Sequence, residues 1–540
     1  MKQISYSNPA AGTYHLAPGI RITGDYAVCD YPLRAIRLNA TTKQLLLLCT
    51  QERICQELAA QIDQPVKRVE ALCRQLHWKG LLEVGPYLPP ETWPDVSIII
   101  PTHNRSGQLE RCIRSLLAME YPASCLEIIV VDDGSTDGTG VLLEQLEQEF
   151  TARGGRLRIV RHTERQGVAR SRNSGAESAL SELLAYIDSD CVASPAWLAE
   201  LVPAFSDASV AAVGGMIRAY ERKSMLGRYE DVRSSLFMGV RPQQVHLEGP
   251  LTYLPTANLV VRRDIWKRIG GFEPFTFGED VDFCRRLLAT GSHILYLPRA
   301  VVYHDYRTRL GAFLHIHASY ASSEATLLQH HPQERRILVL PPEQATFAGL
   351  VLGGLWAILG RPTSRGGSGV VQGTRKGHPY HTRHDVSCMV GVPLAGTLLA
   401  FLALILAILL TLLGTRNRIK KVREHQLPIS PLAILRATLR GHLAYTYHLC
   451  RHLTRYYTLP LFISGILLPP LLILATILCS IVIGVDYMRL RPDMSPGRYA
   501  LCSLLDDCAY EVGVLIGCIK QKTWKPLVPV IKRKNPTGRS

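Results

Sequence analysis

The chain has 540 residues, 47% hydrophobic and 20% charged, with a formal net charge of +16; this exceeds one hydrophobic core and lies outside the disordered, collagenous and disulfide-rich classes. Residues 1–340 carry 37 Lys+Arg against 37 Asp+Glu and residues 341–540 carry 24 against 8, so the excess belongs to the last part alone. Basic residues interleaved there with membrane-length apolar runs point to membrane lipids and argue against nucleic acid as the partner. Fourteen cysteines without a C-x-x-C pair signal neither a zinc site nor a disulfide framework.

The first residues, MKQISYSNPAAGTYHL, lack the apolar core of a signal peptide, which predicts that residues 1–340 stay on the side where they are made. Short alternating patterns in RITGDYAVCD and LRAIRLNA predict a hairpin, and TTKQLLLLCT opens with threonines able to cap a helix. Ile54, Leu58 and Ile62 recur at helical spacing, then Val66, Val69, Leu72 and Leu76, up to Gly80 and the short strand LLEVG. A strand pair, three helices and a closing strand make a winged-helix-like unit over residues 12–86. It resembles the PqqD-like domains, which hold a precursor peptide as an added strand; a structural cap on the next domain is the other reading. GPYLPPETWP, with residues 87–94, is a proline-rich linker.

VSIIIPTHNR is a β-branched run stopped by Pro101, as expected of a strand buried on both faces. A helix is predicted from about Gly107 to Met119, then a second buried strand in LEIIVVDDGSTDGT ending at Asp132 and Asp133. RLRIVRH and LAYIDSD repeat the plan, with a helix around GVARSRNSGAESAL between them. This rhythm predicts a mostly parallel α/β sheet in residues 95–340, whose ligands gather at the carboxyl ends of strands. Asp188 and Asp190 stand at such an end. Residues i and i+2 of an extended segment face the same way, roughly 6–7 Å apart, so both carboxylates could approach one divalent ion. Magnesium uses one or two carboxylates together with substrate phosphates, which makes a metal-bound diphosphate the natural occupant.

VSIIIPTHNR, VVDDGSTDGT, GVARSRNSG, IDSD and GEDVDF occur in the order and at the separations of the inverting family-two glycosyltransferases, and the sequence resembles that family over roughly residues 95–310. The resemblance implies a GT-A fold, a Rossmann-like nucleotide-diphospho-sugar transferase. The uridine-diphosphate sugar is then expected against Pro101, His103, Asp133, Arg172 and Asp188, with Asp133 accepting from the uracil ring. Asp190, with Asp188 beside it, is expected to hold Mg2+ or Mn2+. His103 stands where the family often has Tyr, and an imidazole can still stack on a base. Arg172 is either a donor contact or a structural ion pair. In FGEDVDFCRRL the resemblance places the general base at Asp280, with Glu279 beside it. Like charge and partial burial raise such a pair's pKa values, and the attacking hydroxyl needs a base to take its proton. A helix cap is the alternative for Asp280, and Asp282 suits the following helix's N-terminus. His304, in VVYHDYRTR, is a third metal ligand, a diphosphate contact or a hydrogen-bonded structural histidine. YLPTANLVVRRDIWKRIGGF looks like the acceptor-side segment.

The whole arrangement resembles the mycofactocin-system glycosyltransferases through YASSEATLLQHHP, and only weakly beyond about residue 340. That resemblance implies β-linked glucose, from UDP-glucose, added to a peptide-derived redox cofactor or its precursor. The runner-up is a membrane-associated glycosyltransferase acting on a lipid or cell-wall acceptor. Processive polysaccharide synthases resemble a Q-x-x-R-W pattern after the base, and no such string occurs. A binding module needs none of Asp133, Asp188, Asp190 and Asp280, and a glycoside hydrolase gains nothing from donor-site motifs.

In residues 341–540, VSCMVGVPLAGTLLAFLALILAILLTLLG (386–414) contains no Lys, Arg, Asp or Glu, and about 20 such residues cross a bilayer. Residues 457–485 form a second run, kinked or folded into a hairpin at Pro469 and Pro470, and 345–360 is marginal. RNRIKKVREH and KQKTWKPLVPVIKRKNPTGR set basic charge beside these runs, as suits an anionic cytoplasmic leaflet. The expectation is a membrane-associated helical region with the catalytic domain on the cytoplasmic side of the cell membrane. One crossing would put the basic loop 415–456 opposite the N-terminal domains, whereas two crossings or a hairpin keep it cytoplasmic.

Overall fold

The computed structural model describes residues 13–30, 32–85, 90, 92–152, 156–247, 249, 251–333, 335–359 and 391–532, without the side chains of 151, 152 and 391–395. The first twelve residues, half of linker 87–94, the start of the run 386–414 and the tail from 533 lie outside the described residues. The chain divides into two compact units: one gathers the residues up to Ala27, Arg37–Arg335 and Leu490–Pro526, the other Val28–Ile36, Arg336–Arg489 and the residues from Leu527 on.

At the N-terminus β1 (Tyr14–Leu16) pairs antiparallel with β5 (Leu82–Val84), bracketing β2 (Ile20–Thr23), β3 (Tyr26–Asp30), β4 (Leu33–Arg37), α1 (Ala40–Leu48), α2 (Cys55–Ile62) and α3 (Val66–Trp78). Strands β2, β3 and β4 form a three-stranded sheet. Asn39, not the threonines after it, caps α1: its Oδ1 accepts from the Thr42 N–H at 2.8 Å. Leu58, Ile62, Val69 and Leu76 are buried, as their spacing predicts, whereas Val66, on the first turn of α3, is exposed. Helix α3 fixes the module to the larger sheet, with the Trp78 ring 4.4 Å from that of His293 and Arg74 paired with Asp207 at 2.9 Å.

The larger sheet runs β10-β14-β11-β13-β9-β6-β7-β8, with β12 on β14. Its strands are β6 (Val96–Thr102), β7 (Leu126–Asp133), β8 (Arg156–His162), β9 (Leu183–Tyr186), β10 (Cys191–Ala193), β11 (Val210–Ala219), β12 (Gln243–Gln244), β13 (Leu259–Arg262) and β14 (His293–His304). Strands β9, β6, β7 and β8 are parallel, as the sequence rhythm predicts. Beyond them β13 runs antiparallel to β9 and β11, so the sheet as a whole is mixed.

Successive strand residues enter opposite cores, which is why these runs show no polar alternation. Ile98, Ile100, Ile128 and Val130 pack with Leu109, Ile113 and Trp197, while Ile99, Ile129, Val131 and Tyr186 pack with Phe272 and Phe283. Helices α4 (Ser106–Leu117), α5 (Thr139–Ala152) and α6 (Val168–Ser178) connect the parallel strands. Gly175 sets the depth of α6: a Cβ there would lie 2.5 Å from Ile99 Cγ2 and 3.1 Å from Val131 Cγ2. After α7 (Trp197–Leu201) and α8 (Met225–Arg233) come α9 (Arg263–Ile269), α10 (Glu279–Ala289) and α11 (Leu310–His330).

Residues 490–526, read from sequence with the apolar tail, belong by contact to the first unit. The second unit holds α12 (Pro342–Leu359), α13 (Gly391–Glu424), α14 (Pro431–Leu467) and α15 (Pro469–Leu490), before α16 (Pro496–Lys520) returns to the first. Helix α16 lies on α11 with no room for side chains at two positions: a Cβ on Gly513 or Gly517 would come within 2.1 Å of the Ala318 carbonyl oxygen or 2.3 Å of that of Ser322. His317 of α11 bridges Glu230 of α8 and Asp506 of α16, 2.7 Å from each. The expected break at Pro469–Pro470 separates α14 from α15, at Leu468. Among the described residues Gly396–Glu424 and Pro469–Leu490 are long and apolar enough to cross a membrane. Short parallel strands β15 (Ile337–Val339) and β16 (Val530–Lys532) complete the second unit.

Candidate active site

The carboxyl ends of β6, β7 and β9 form the first wall. Asp133, the last residue of β7, accepts from the Gln166 N–H on Oδ1 and the Gly167 N–H on Oδ2, each at 2.8 Å, and His162 Nδ1 lies 2.8 Å from Oδ1. Burial opposes its charge, yet the bond with His162 and the two backbone donors hold its carboxyl below the usual range. A carboxylate offers about four lone-pair sites, and this one keeps capacity on Oδ2. His103 donates from Nδ1 to the Asp133 carbonyl at 2.9 Å, because that partner can only accept. Its ring is thereby fixed beside the carboxylate. Pro101 sits two residues past the end of the ladder between β6 and β9, where its missing N–H costs no bond on that side.

The second wall is held by Arg172 of α6, 3% exposed, which donates from Nη2 to Asp188 Oδ1 at 2.8 Å and from Nη1 to Glu279 Oε1 at 2.6 Å. Burial opposes its charge, but Asp188 and Glu279 outweigh it and push its pKa up. One guanidinium therefore ties the IDSD turn to the GEDVDF helix. Gly278 begins that helix with φ 85, a left-handed conformation that suits glycine. Asp280 follows, its Oδ1 accepting from the Val281 N–H at 2.8 Å. Burial and the neighbouring Glu279 push its carboxyl up from 3.8 to about 7, against the pull of Arg172. Asp282 instead binds Arg286 at 2.7 Å and His331 at 2.8 Å, away from the cleft groups.

The third cluster surrounds Asp190. The chain does not stay extended past β9: the Cys191 N–H donates to the Asp188 carbonyl at 3.0 Å, closing a turn. Asp188 and Asp190 therefore diverge, the first with a 26% exposed side chain and the second with 5%. Asp190 Oδ2 accepts from Arg105 Nη1 at 2.6 Å and Arg307 Nη1 at 3.4 Å. Its Oδ1 is buried with no hydrogen-bond partner among the described residues and lies 3.5 Å from His304 Nε2. Cys191 pairs opposite His304 across β10 and β14, so the ligand atoms of Asp190, Cys191 and His304 all lie within 4.8 Å of one another. Burial pushes the Cys191 thiol far up. The orphaned carboxylate oxygen and the imidazole fit a hard divalent cation such as Mg2+ or Mn2+, and the protonated thiol does not.

Of the residues singled out from sequence, Arg172 joins Asp188 to Glu279 and Asp280, Asp190 meets His304, and Asp133 meets His103. Asp188 lies outside the cluster around Asp190. Arg105, Arg307 and His162 escaped sequence reasoning. Arg105 and Arg307 sit inside THNR and VVYHDYRTR, and a basic residue just past a strand's carboxyl end was the available signal. Asn258 of the acceptor-side segment locks the sheet, donating to the Met216 carbonyl at 3.0 Å and the Ala300 carbonyl at 3.1 Å and accepting from Trp197 Nε1 at 2.8 Å.

Residues 97–270 match the family described as Glycosyl transferase family 2. Over 448 residues, 81% of this chain and 82% of the relative, the sequence is 27% identical to the Pre-mycofactocin glycosyltransferase of Mycobacterium tuberculosis. Over 218 residues, 40% of this chain and 68% of the relative, it is 28% identical to Glycosyltransferase AglE of Haloferax volcanii. Among solved structures, the mannosyltransferase PcManGT of Pyrobaculum calidifontis, in complex with GDP-Man and Mn2+, superposes with a TM-score of 0.37 and 19% identity, covering 66% of this chain and 89% of that one.

Proposed function

From the premise that residues 97–270 carry a glycosyl transferase family 2 domain, we propose that the protein transfers a sugar from a uridine-diphosphate donor, with inversion, to a peptide-derived acceptor of the mycofactocin pathway. The observation that carries this reading is the pair of ion bonds from Arg172, at 2.8 Å to Asp188 and 2.6 Å to Glu279, which joins the donor-side turn to the carboxylates at the start of α10. Glucose is the proposed sugar, added as a β-linked chain. Similarity to the mycobacterial relative over most of both chains supports the acceptor class, and the N-terminal module, read as PqqD-like, is proposed to hold the peptide.

His103 and Asp133 receive the base of the donor nucleotide, with Asp133 Oδ2 accepting from the ring. Asp188 lies toward the ribose and diphosphate. Asp190 and His304 would hold a divalent cation, which when bound supplies Lewis-acid neutralisation of the charge on the departing nucleoside diphosphate. Asp280 takes the acceptor hydroxyl's proton on Oδ2, the oxygen not engaged by Val281. The acceptor oxygen bonds to the anomeric carbon as the bond to the diphosphate breaks, and the electron pair leaves with the nucleoside diphosphate. One displacement inverts the configuration. The apolar helices Gly396–Glu424 and Pro469–Leu490 and the basic excess of the last 200 residues support attachment to anionic lipids, with the catalytic domain on the cytoplasmic side.

Asp280→Asn is expected to lower transfer by ~10^2–10^4-fold while the donor still binds, read as acceptor-dependent release of uridine diphosphate beside calorimetric donor binding. Retained turnover in this variant removes Asp280 from the role. Turnover with a lipid acceptor alone would replace the peptide-derived acceptor.

A further inference from the structure

The second unit holds two basic residues, Arg336 and His452, that each bury nitrogen atoms without a hydrogen-bond partner among the described residues. Arg336 is fixed at its backbone, where its carbonyl accepts from the Val530 N–H at 2.8 Å just before the pairing of β15 with β16. Its guanidinium carbon lies 3.6 Å from the ring centroid of Tyr456, and Nη2 donates to Tyr457 Oη at 2.9 Å and the Leu527 carbonyl at 3.1 Å. Nε and Nη1 are buried and have no hydrogen-bond partner among the described residues. One helical turn before Tyr456, His452 sets its ring 5.6 Å from the same tyrosine ring, and its Nε2 is likewise buried and unpartnered. Tyr456 thus serves as a common platform for a guanidinium and an imidazole.

Buried donors are rarely left unpaired, since each costs about 1–3 kcal/mol and more when charged. Among the described residues no carboxylate meets this cost: burial and Arg336 act on His452, and both disfavour its charged form. Stacking on Tyr456 and the two Nη2 bonds hold the guanidinium in place, so binding a ligand would take little further ordering. A tetrahedral oxyanion presents several acceptors to such donors, and arginine is suited to phosphate.

We infer that Arg336 and His452, on the Tyr456 platform, form an anion site for a phosphate group, separate from the sugar-nucleotide site. This assignment does not rest on the glycosyl transfer reading. The phosphate belongs either to a lipid headgroup or to a free phosphate ion.

The test uses the full chain in detergent, with thermal unfolding followed against inorganic phosphate and against chloride at matched ionic strength. A second arm measures flotation with vesicles of phosphatidylcholine alone or mixed with phosphatidic acid. The expected result is a saturable, phosphate-specific rise in unfolding temperature, or binding specific to phosphatidic acid, weakened at least ~10-fold in apparent affinity by Arg336→Gln and by His452→Gln. The first response assigns a free ion and the second a headgroup. His452→Gln leaves the bonds of Arg336 to Tyr457, Leu527 and Val530 intact, so its effect is separable from misfolding. Absence of both responses, or equal responses in wild type and His452→Gln, overturns the site.

Discussion

Replacing Glu279 by Gln tests the proposed acid–base chemistry without altering Asp280, the proposed base. The Asp280 carboxyl stands at about 7 against 3.8 for a free aspartate, a difference of roughly 3 units or ~4 kcal/mol in favour of the neutral form. Burial is the first cause and Glu279 the second, with Arg172 opposing. A unit charge at ~6 Å in an effective dielectric of ~20 is worth ~3 kcal/mol, so the Glu279 charge is able to supply a large share. Gln keeps an oxygen for the Arg172 bond and removes the like charge. It also leaves the Arg172 charge less compensated, so both effects lower the Asp280 pKa. Since a general base works ionised, kcat/KM for sugar transfer should rise with pH through about 7 in the wild type. In Glu279→Gln that limb should move down by ~1 unit or more, measured as acceptor-dependent release of nucleoside diphosphate across pH. A limb that stays in place or moves up refutes the coupling, and with it the assignment of the limb to Asp280.

Asp190→Asn should weaken Mn2+ binding at least ~10-fold, read directly by electron paramagnetic resonance of free Mn2+; unchanged binding would move the metal elsewhere. His317 carries a pH signature of its own. Burial opposes its charge, but the bonds to Asp506 and Glu230 raise its pKa from 6.5 to about 9. Its stabilisation is therefore fully present below about 6.5 and lost as pH rises through about 9, and His317→Leu, which removes the shared cation from Glu230 and Asp506, should cost ~3–5 kcal/mol at neutral pH by denaturant unfolding. Gly513→Leu drives a side chain into the Ala318 carbonyl and should destabilise by ~2 kcal/mol or more, where an unaltered melting curve would show that α16 does not need its close seat on α11.

The parallel half of the sheet was legible because a strand covered on both faces must be a continuous apolar run, and VSIIIPTHNR, LEIIVVDD and LAYIDSD are such runs ending in polar residues. The helices of the N-terminal module were legible for a similar reason, since burial of one stripe imposes a repeat every three or four residues. Residue types at strand ends likewise exposed Asp133, Asp188 and Asp190 as candidates, whereas Asp280 came from the family resemblance alone. What remained closed to sequence was long-range and non-periodic. Strand β13 enters antiparallel and makes the sheet mixed, because pairing direction depends on where the chain returns and not on the composition of LVVR. The turn after β9 sends Asp188 to Arg172 and Asp190 to Arg105, Arg307 and His304, whereas an extended segment would have aimed both carboxylates one way. Helix α16 follows the apolar helices in the chain yet packs with the first unit, a placement set by two glycines that admit the backbone of α11. Sequence alone determines local periodicity and the chemistry on offer, because both follow from neighbouring residues. Only the tertiary structure decides which charges meet, because ion pairs such as Arg172 with Glu279 join residues 107 positions apart and form only when strand ends, turns and helix starts are brought together by burial of the core between them.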